Sequence, residues 1–181
     1  LETSAAVLAT PDFGMRLANL QSGPLLMGPL ERMIKNAPTF GELLAYTTRH
    51  MHIYSSAIQI SLEPLGDGDR TLMRLEVLAN DLPYRRQVTE QILALAHAGG
   101  QSVSEGSVCG REIWFAHREL ASPSAYHRHF QTKVRFSQPV EGVVYSKADI
   151  RSTIAASDPA VLERELRALS DRFPDGSPLH T

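Results

Sequence analysis

The sequence of 181 residues lacks several features that would mark a particular class of protein. Its single cysteine, Cys109, excludes an internal disulfide and a Cys-x-x-Cys zinc site, which fits a reducing setting. No apolar run approaches the roughly 18 residues that a membrane-spanning helix needs. The net charge of −2 lacks the basic excess that is typical of nucleic-acid-binding domains. We therefore expect a cytoplasmic protein without a membrane span and without direct DNA contact through this chain.

The sequence also lacks the common short motifs of catalysis and cofactor binding. It has no Gly-x-Ser-x-Gly motif, and the stretch "GGQSVSEG" lacks the Gly-Lys-Ser/Thr of a phosphate-binding loop. The stretch "GDGD" at 66–69 lacks the rest of the EF-hand spacing and indicates a turn. No cofactor is therefore expected, and the chain is not expected to be an enzyme. A small hydrolase-like enzyme that uses His117 as base, with Cys109 or a serine as nucleophile, is the less favoured alternative.

What the sequence does contain is a composition suited to a packed domain with a helical first third. Aliphatic, aromatic and cysteine residues make up 43% of the chain and charged residues 21%, values typical of globular proteins. Thr10-Pro11 and Pro29 mark helix starts. Thr39 and Glu42 predict a capping box. The helix after that box carries an apolar stripe at i, i+3/4 and i+7 spacing, formed by Phe40, Leu43, Leu44, Thr47, Met51 and Tyr54.

The middle of the chain changes to an alternating pattern. Apolar residues alternate with polar ones at 58–62 and again at 71–77, on either side of the turn at 66–69, which predicts a β-hairpin. Further strands are predicted at 111–118, 133–136 and 142–146. Helices are predicted at 80–100, at 123–130 and from Asp158 onward. This order favours an α+β fold, with an antiparallel sheet of about five short strands covered by helices.

Buried faces are assigned to three helices from the spacing of their apolar residues. The first helix is predicted to bury Phe13, Leu17 and Leu20. The helix at 80–100, capped by Asn80 or Asp81 and stopped by Gly99-Gly100, is predicted to bury Tyr84, Val88, Ile92 and Leu95. The last helix presents a stripe of Val161, Leu162, Leu166, Leu169 and Phe173.

Histidine is a common metal ligand, so pairs of histidines are the first candidates for a metal site. His127 and His129, like His50 and His52, are two residues apart, and this spacing places them on different faces of a helix. No metal site is therefore expected. The interpretation that we prefer is that Tyr126 and the later Phe130 point inward while the histidines stay at the surface.

His117 is a different case, because it shares a predicted strand face with Ile113 and Phe115. A histidine on an apolar face is more often a satisfied core residue than a functional one. If it lines a pocket, burial brings its pKa into the range where it acts as a pH-sensitive group.

Several stretches together resemble one family. These are "DFGMRLANLQ", "GPLLMGPLERMIKNAPTFGELLAYTTRHMHIYS", "FAHRELASPSAYHRHFQTKVRFSQPVEGVVY" and "SDPAVLERELRAL". They look like the N-terminal effector-binding domain, labelled arabinose-binding-like, of AraC-type bacterial transcription regulators. The branch is the helix-rich one of ornithine-utilisation and mycobacterial virulence regulators. The most specific pattern is Phe-x-His at 115–117, Tyr126 to Phe130, and Val-x-Phe-x-Gln-Pro at 134–139.

The resemblance implies a ligand-sensing and dimerisation domain at 1–173, followed by a linker stub at 174–181 toward a helix-turn-helix domain that this chain lacks. DNA would be a partner only through that domain, and a homodimer is expected. Arabinose itself is not expected, because the chain shows too few strands for a sugar-binding β-sandwich. A ligand-free dimerisation module is the alternative.

Two sets of residues are the candidates for these roles. A small organic effector is expected in an apolar pocket between sheet and helices, and the inferred inward faces nominate Tyr54, Met73, Phe115 and His117. Dimer contacts are expected from Leu162, Leu166 and Leu169 of the last helix, whose stripe needs a cover. Docking of that stripe on its own domain is the equally weighted alternative.

Overall fold

Eight helices and five strands form an α+β arrangement in the computed structural model, which describes residues 1–21, 28–66, 68–79 and 84–173. The strands are β1 (Ile58–Leu65), β2 (Arg70–Val77), β3 (Glu112–Trp114), β4 (Lys133–Arg135) and β5 (Glu141–Ser146). The helices are α1 (Glu2–Val7), α2 (Phe13–Gln21), α3 (Gly28–Lys35), α4 (Phe40–Tyr54), α5 (Arg86–Val103), α6 (Pro123–Phe130), α7 (Lys147–Arg151) and α8 (Pro159–Arg172). The predicted fold class and the helical first third are confirmed.

The strands form one sheet in the order β1-β2-β5-β3-β4. All neighbouring strands are antiparallel except β3 and β4, which run parallel because α6 connects them. In the register, Met73 of β2 lies opposite Val143 of β5, and Val143 lies opposite Ile113 of β3. These three buried side chains run across the middle of the sheet and anchor the main core.

Helix α4 starts where the predicted capping box lies. The Thr39 hydroxyl accepts a hydrogen bond from the Glu42 backbone N–H at 3.2 Å and donates one to Glu42 Oε2 at 2.9 Å. The helix buries Phe40, Leu43, Leu44 and Thr47 of the predicted stripe, while Met51 and Tyr54 are half-buried. The start of this helix and most of its inward face are therefore confirmed.

The predicted face of the first helix is wrong. Helix α2 buries Gly14, Met15 and Ala18, whereas Leu20 is 85% exposed. Small residues face inward because α2 lies very close to α5: a Cβ on Gly14 would stand 2.1 Å from the carbonyl oxygen of Gln87. The Thr10 hydroxyl bonds the carbonyl of Leu8 instead of capping α2.

Helix α5 also differs from its prediction. The helix does not stop at Gly99-Gly100 but continues to Val103. Gly100 allows close packing instead, because a Cβ there would be 3.2 Å from the Phe40 ring. Tyr84 precedes the helix and is 64% exposed, while the other three predicted residues are half-buried. The buried face instead comprises Gln87, Thr89, Glu90, Leu93, Ala94 and His97. The predicted caps, at 80 and 81, fall outside the described residues.

Helix α8 begins as predicted and covers a second, smaller apolar cluster. The carboxylate of Asp158 accepts hydrogen bonds from the N–H groups of Ala160 and Val161 at 2.9 and 3.3 Å. The smaller cluster joins α3, α4 and α8 through Leu30, Met33, Ile53, Leu162 and Leu169. The main cluster lies between the sheet and helices α2, α4, α5 and α6.

Candidate functional site

Two of the four predicted pocket residues lie together. Phe115 follows β3 and is fully buried, and its ring centroid is 4.9 Å from that of His117. The His117 side chain is only 8% exposed. Hydrogen bonds to the chain after β4 hold this segment, since Gln138 N–H donates to the Phe115 carbonyl and Ser137 N–H to the His117 carbonyl.

The other two predicted residues are separated from each other. Met73 is buried in the same main cluster as Phe115. Tyr54 packs with the smaller cluster, where its hydroxyl accepts a hydrogen bond from the Leu30 N–H at 2.7 Å. The structure therefore places Tyr54 beside α3, away from the segment that carries His117.

A buried carboxyl group that the sequence analysis missed faces this segment. Glu90 is 0% exposed on α5, and its Oε1 lies 3.9 Å from Nε2 of His117. The hydroxyl of Tyr126 donates to the same oxygen at 2.5 Å. A glutamate is usually solvated, but Glu90 shares its helix face with Leu93 and His97, and that spacing is the signal that could have revealed it.

Burial shifts the pKa of each group in this site. Removal from water raises the pKa of Glu90 to about 7, although the Tyr126 hydroxyl favours its ionised form. Burial also lowers the pKa of His117, although its hydrogen bond to the carbonyl of Arg118 favours the charged ring. Burial therefore favours the neutral forms of an acid and a base that lie close together in the interior.

Aromatic rings surround the two groups. Phe136 stacks on Phe115 with centroids 5.8 Å apart and meets Tyr126 edge-on at 4.8 Å. We call Glu90, Phe115, His117, Tyr126 and Phe136 the Glu90–His117 cluster. It combines apolar walls with a few convergent polar groups, which is the usual character of a small-molecule site.

The histidines of α6 require one correction. His127 is exposed as predicted, but the His129 side chain is 4% exposed and lies between α6 and the start of α2. Its Nε2 is 3.6 Å from Asp12 Oδ2, and its Nδ1 is 3.2 Å from Asn19 Nδ2. His129 is buried because α2 covers this face of α6. Tyr126 and Phe130 point inward as predicted.

The geometry gives no support to a metal or a nucleophile. Among the described residues, no group of three or more His, Cys, Asp or Glu side chains is arranged to hold a metal ion. Cys109 Sγ accepts a hydrogen bond from Gln101 Nε2 at 3.3 Å, and the described part of the chain shows no bond from His117 to it. The alternative of a His117–Cys109 pair therefore lacks its required contact.

Two open depressions lie elsewhere on the surface. One of about 420 Å³ follows the charged face of α8, and one of about 250 Å³ lies where β2, β5 and Ala116 meet. The Glu90–His117 cluster lines neither. No helix within the described ranges is long and apolar enough to cross a membrane.

The α8 leucines are covered within the chain. Leu162 and Leu169 are buried, and Leu166 packs half-buried against the same smaller cluster. Helices α3 and α4 pack against the apolar face of α8. These leucines therefore pack within their own domain, which is the alternative given above. A dimer contact through α8 stays a prediction.

Comparison with known proteins places this arrangement among transcription regulators. The family model described as the arabinose-binding domain of AraC transcription regulator, N-terminal, matches residues 1–154. The chain is 30% identical over 138 residues to the HTH-type transcriptional regulator VirS of two Mycobacterium tuberculosis strains, covering 76% of this chain and 40% of VirS. The crystal structure of transcriptional regulator CdpR from Pseudomonas aeruginosa shares the fold, with a TM-score of 0.76 and 18% identity. That match covers 87% of this chain and 50% of CdpR.

Proposed function

Because the chain belongs to the family of N-terminal, arabinose-binding domains of AraC transcription regulators, we propose that it is the effector-sensing part of such a regulator. It spans about two fifths of the length of VirS, whose name includes the helix-turn-helix class. DNA contact would then belong to a further part of the full protein. We propose a location in the cytoplasm and a homodimeric state together with this role.

The observation that carries the proposal is the Glu90–His117 cluster. Three aromatic rings enclose a buried carboxyl group and a buried imidazole that lack a direct hydrogen bond to each other. A purely structural core would gain stability from apolar residues here, because burying ionisable groups costs free energy. We assign the effector to this cluster, with Met73 in the sheet beneath it.

The cluster is also placed where a ligand could alter the domain. Glu90 belongs to α5, Tyr126 to α6, and His117 to the segment between β3 and α6. An effector shifts a conformational equilibrium only by its difference in affinity for the two states. A ligand that contacts all three segments binds the two states with different affinity if the spacing of the segments differs between the states.

The second candidate is a dimerisation module that binds no effector. The observation that favours it is that neither open depression is lined by the cluster. On this alternative the buried polar groups serve packing only. An enzyme is the least supported function, because its nucleophile and base are not in contact.

A thermal-shift screen of the domain tests the proposal. The panel covers fatty acids, amino acids, sugars and aromatic metabolites, each at pH 5.5 and 7.5. A ligand at one hundred times its dissociation constant adds about 2.7 kcal/mol to the free energy of unfolding. We expect at least one class to raise the melting temperature of the wild type and to lose that effect in Phe115→Ala. Silence across the panel, with the protein folded, would favour the dimerisation module.

A further inference from the structure

Glu90 and His117 approach each other to 3.9 Å in the interior, and each leaves one polar atom without a hydrogen bond. Oε2 of Glu90 and Nε2 of His117 have no hydrogen-bond partner among the described residues. Native proteins rarely leave buried polar atoms unpaired, because each one loses its hydrogen bonds to water. The close approach of the two side chains indicates that one further group can bond to both.

The hydrogen bonds already present define the chemistry of that missing group. Nδ1 of His117 lies 2.7 Å from the carbonyl of Arg118, which can only accept, so Nδ1 carries the proton and neutral Nε2 is an acceptor. Oε1 of Glu90 already accepts the Tyr126 hydroxyl, and an ionised carboxylate has no proton to donate. To the ionised form of Glu90 and the neutral ring of His117, the missing group must therefore donate at least two hydrogen bonds, one to each residue.

The spacing suits a single donor atom. Nε2 of His117 and Oε1 of Glu90 are 3.9 Å apart, too far for a direct hydrogen bond. One nitrogen at an ordinary distance of about 2.8 Å from each can bridge that gap. A group with two separate donors on a rigid frame is not required.

The charges and rings around the gap favour a cation. Among the described residues, the charge of Arg86 on the same helix favours the ionised form of Glu90, while the charges of Glu2 and Asp12 oppose it. The rings of Phe115 and Phe136 pack beside the ring of His117, and Phe136 also contacts Tyr126; aromatic rings attract ammonium groups. A water molecule would supply the two donors but not the charge.

We infer that the Glu90–His117 cluster binds the primary ammonium group of a small organic effector, with the Glu90 carboxylate and His117 Nε2 as its acceptors. The inference rests on the proposed function and adds the chemical class of the effector. Because the cluster lines neither of the two depressions described above, the proposed site opens by movement of the segment at 115–121 away from α5. The bond from the Leu120 N–H to the Tyr126 hydroxyl at 3.0 Å couples that movement to α6.

Matched pairs of amines and alcohols test the inference in the whole chain. The probes are propylamine, benzylamine and 1,4-diaminobutane against propanol, benzyl alcohol and 1,4-butanediol, at pH 7.5 and constant ionic strength. We expect at least one amine, but not its alcohol, to raise the melting temperature by about 3–5 °C per tenfold concentration once the site fills. Glu90→Gln abolishes this rise. Glu163→Gln, which removes an exposed carboxylate from α8, retains it.

A second variant and a second pH guard against a folding artefact. His117→Phe removes the other acceptor and is expected to weaken the amine effect at least tenfold while the protein still melts cooperatively. At pH 5.5 the effect also weakens, because burial leaves the Glu90 carboxyl protonated. Of the groups that face it, Glu2 and Asp12 also raise its pKa, Tyr126 and Arg86 lower it, and His117 lies 3.9 Å away.

The outcomes separate this inference from the proposed function. If amines and alcohols act alike, or if Glu90→Gln still responds to the amine, the ammonium site is refuted and the gap holds a water molecule only. If the broad screen then finds an acid or a sugar that stabilises the domain, the effector-sensing function stands without an ammonium site. If no compound of either set stabilises the folded domain, both fail together.

Discussion

The hydroxyl group of Tyr126 on α6 donates a hydrogen bond to Oε1 of Glu90 on α5, and neither side chain reaches the surface. The same hydroxyl accepts a hydrogen bond from the backbone N–H of Leu120 at 3.0 Å. One oxygen atom thus connects two helices and the loop between β3 and α6. Its removal leaves the buried Glu90 oxygen and the part-buried Leu120 N–H without this partner.

We expect Tyr126→Phe to lower the free energy of unfolding by about 1–3 kcal/mol, the cost of leaving a buried polar group unsatisfied. Urea denaturation followed by circular dichroism measures the change. Tyr84→Phe is the matched control, because Tyr84 is exposed and its ring stays beside Arg86. That control should change stability by less than about 0.5 kcal/mol. Equal effects of the two substitutions would show that the buried bond contributes nothing.

The raised pKa of Glu90 predicts a specific pH dependence of stability. The pKa is 4.5 in the unfolded chain and about 7 in the folded protein, so the unfolded state loses this proton first as the pH rises. The stabilising effect of the neutral carboxyl is complete below pH 4.5 and is lost as the pH rises through about 7. The total effect is on the order of 3 kcal/mol.

Glu90→Gln isolates that contribution, because glutamine has the shape of the neutral acid and does not titrate. We expect the wild type to lose stability relative to Glu90→Gln between pH 4.5 and 8, as measured by urea denaturation at each pH. The four histidines with lowered pKa act in the opposite direction at low pH and are present in both proteins; they are His50, His97, His117 and His129. A stability difference that stays constant with pH would refute the raised pKa.

The elements with a strong local signal could be predicted from the sequence. Each of these signals depends on only a few neighbouring residues. Examples are the helix caps at Thr39 and Asp158 and the alternation on both sides of the turn at 66–69. The order of the sheet was not encoded locally, because β5 pairs with β2 and β3 across long stretches of chain.

The inward face of α5 shows why the candidate site was only half predicted. Sequence reasoning assigned only apolar residues to this face and did not consider Glu90, a residue type that is costly to bury alone. The structure buries polar residues there because other segments satisfy them: Gln87 Nε2 donates to the Pro11 carbonyl, and its Oε1 accepts from the Gly14 N–H. Partners so distant in the sequence cannot be predicted from the residues of α5 alone. Phe115 and His117 were found because both lie on one alternating segment.

Close contact between α2 and α5 predicts opposite effects for two glycines. Gly14→Ala would place a Cβ 2.1 Å from the Gln87 carbonyl oxygen, so the helices must separate, at a cost of about 1–3 kcal/mol. Gly99→Ala meets no atom within 4 Å and replaces a glycine inside a helix, which stabilises by about 0.5–1 kcal/mol. Thermal denaturation of both variants checks the sign of each change. A stable Gly14→Ala protein would contradict this packing of α2 on α5.

The α8 leucines allow the two predicted roles of that helix to be separated. Leu162 and Leu169 pack within the smaller cluster, so replacing either with alanine should cost about 2–5 kcal/mol through a cavity. If they act only within one chain, that loss is independent of protein concentration, and light scattering gives the same oligomeric state as the wild type. Leu20→Ala is the control, because this side chain is 85% exposed on α2 and its removal should change stability little. A melting temperature that rises with protein concentration in the wild type but not in Leu162→Ala would instead assign this leucine to a dimer contact, because association stabilises the folded state by mass action.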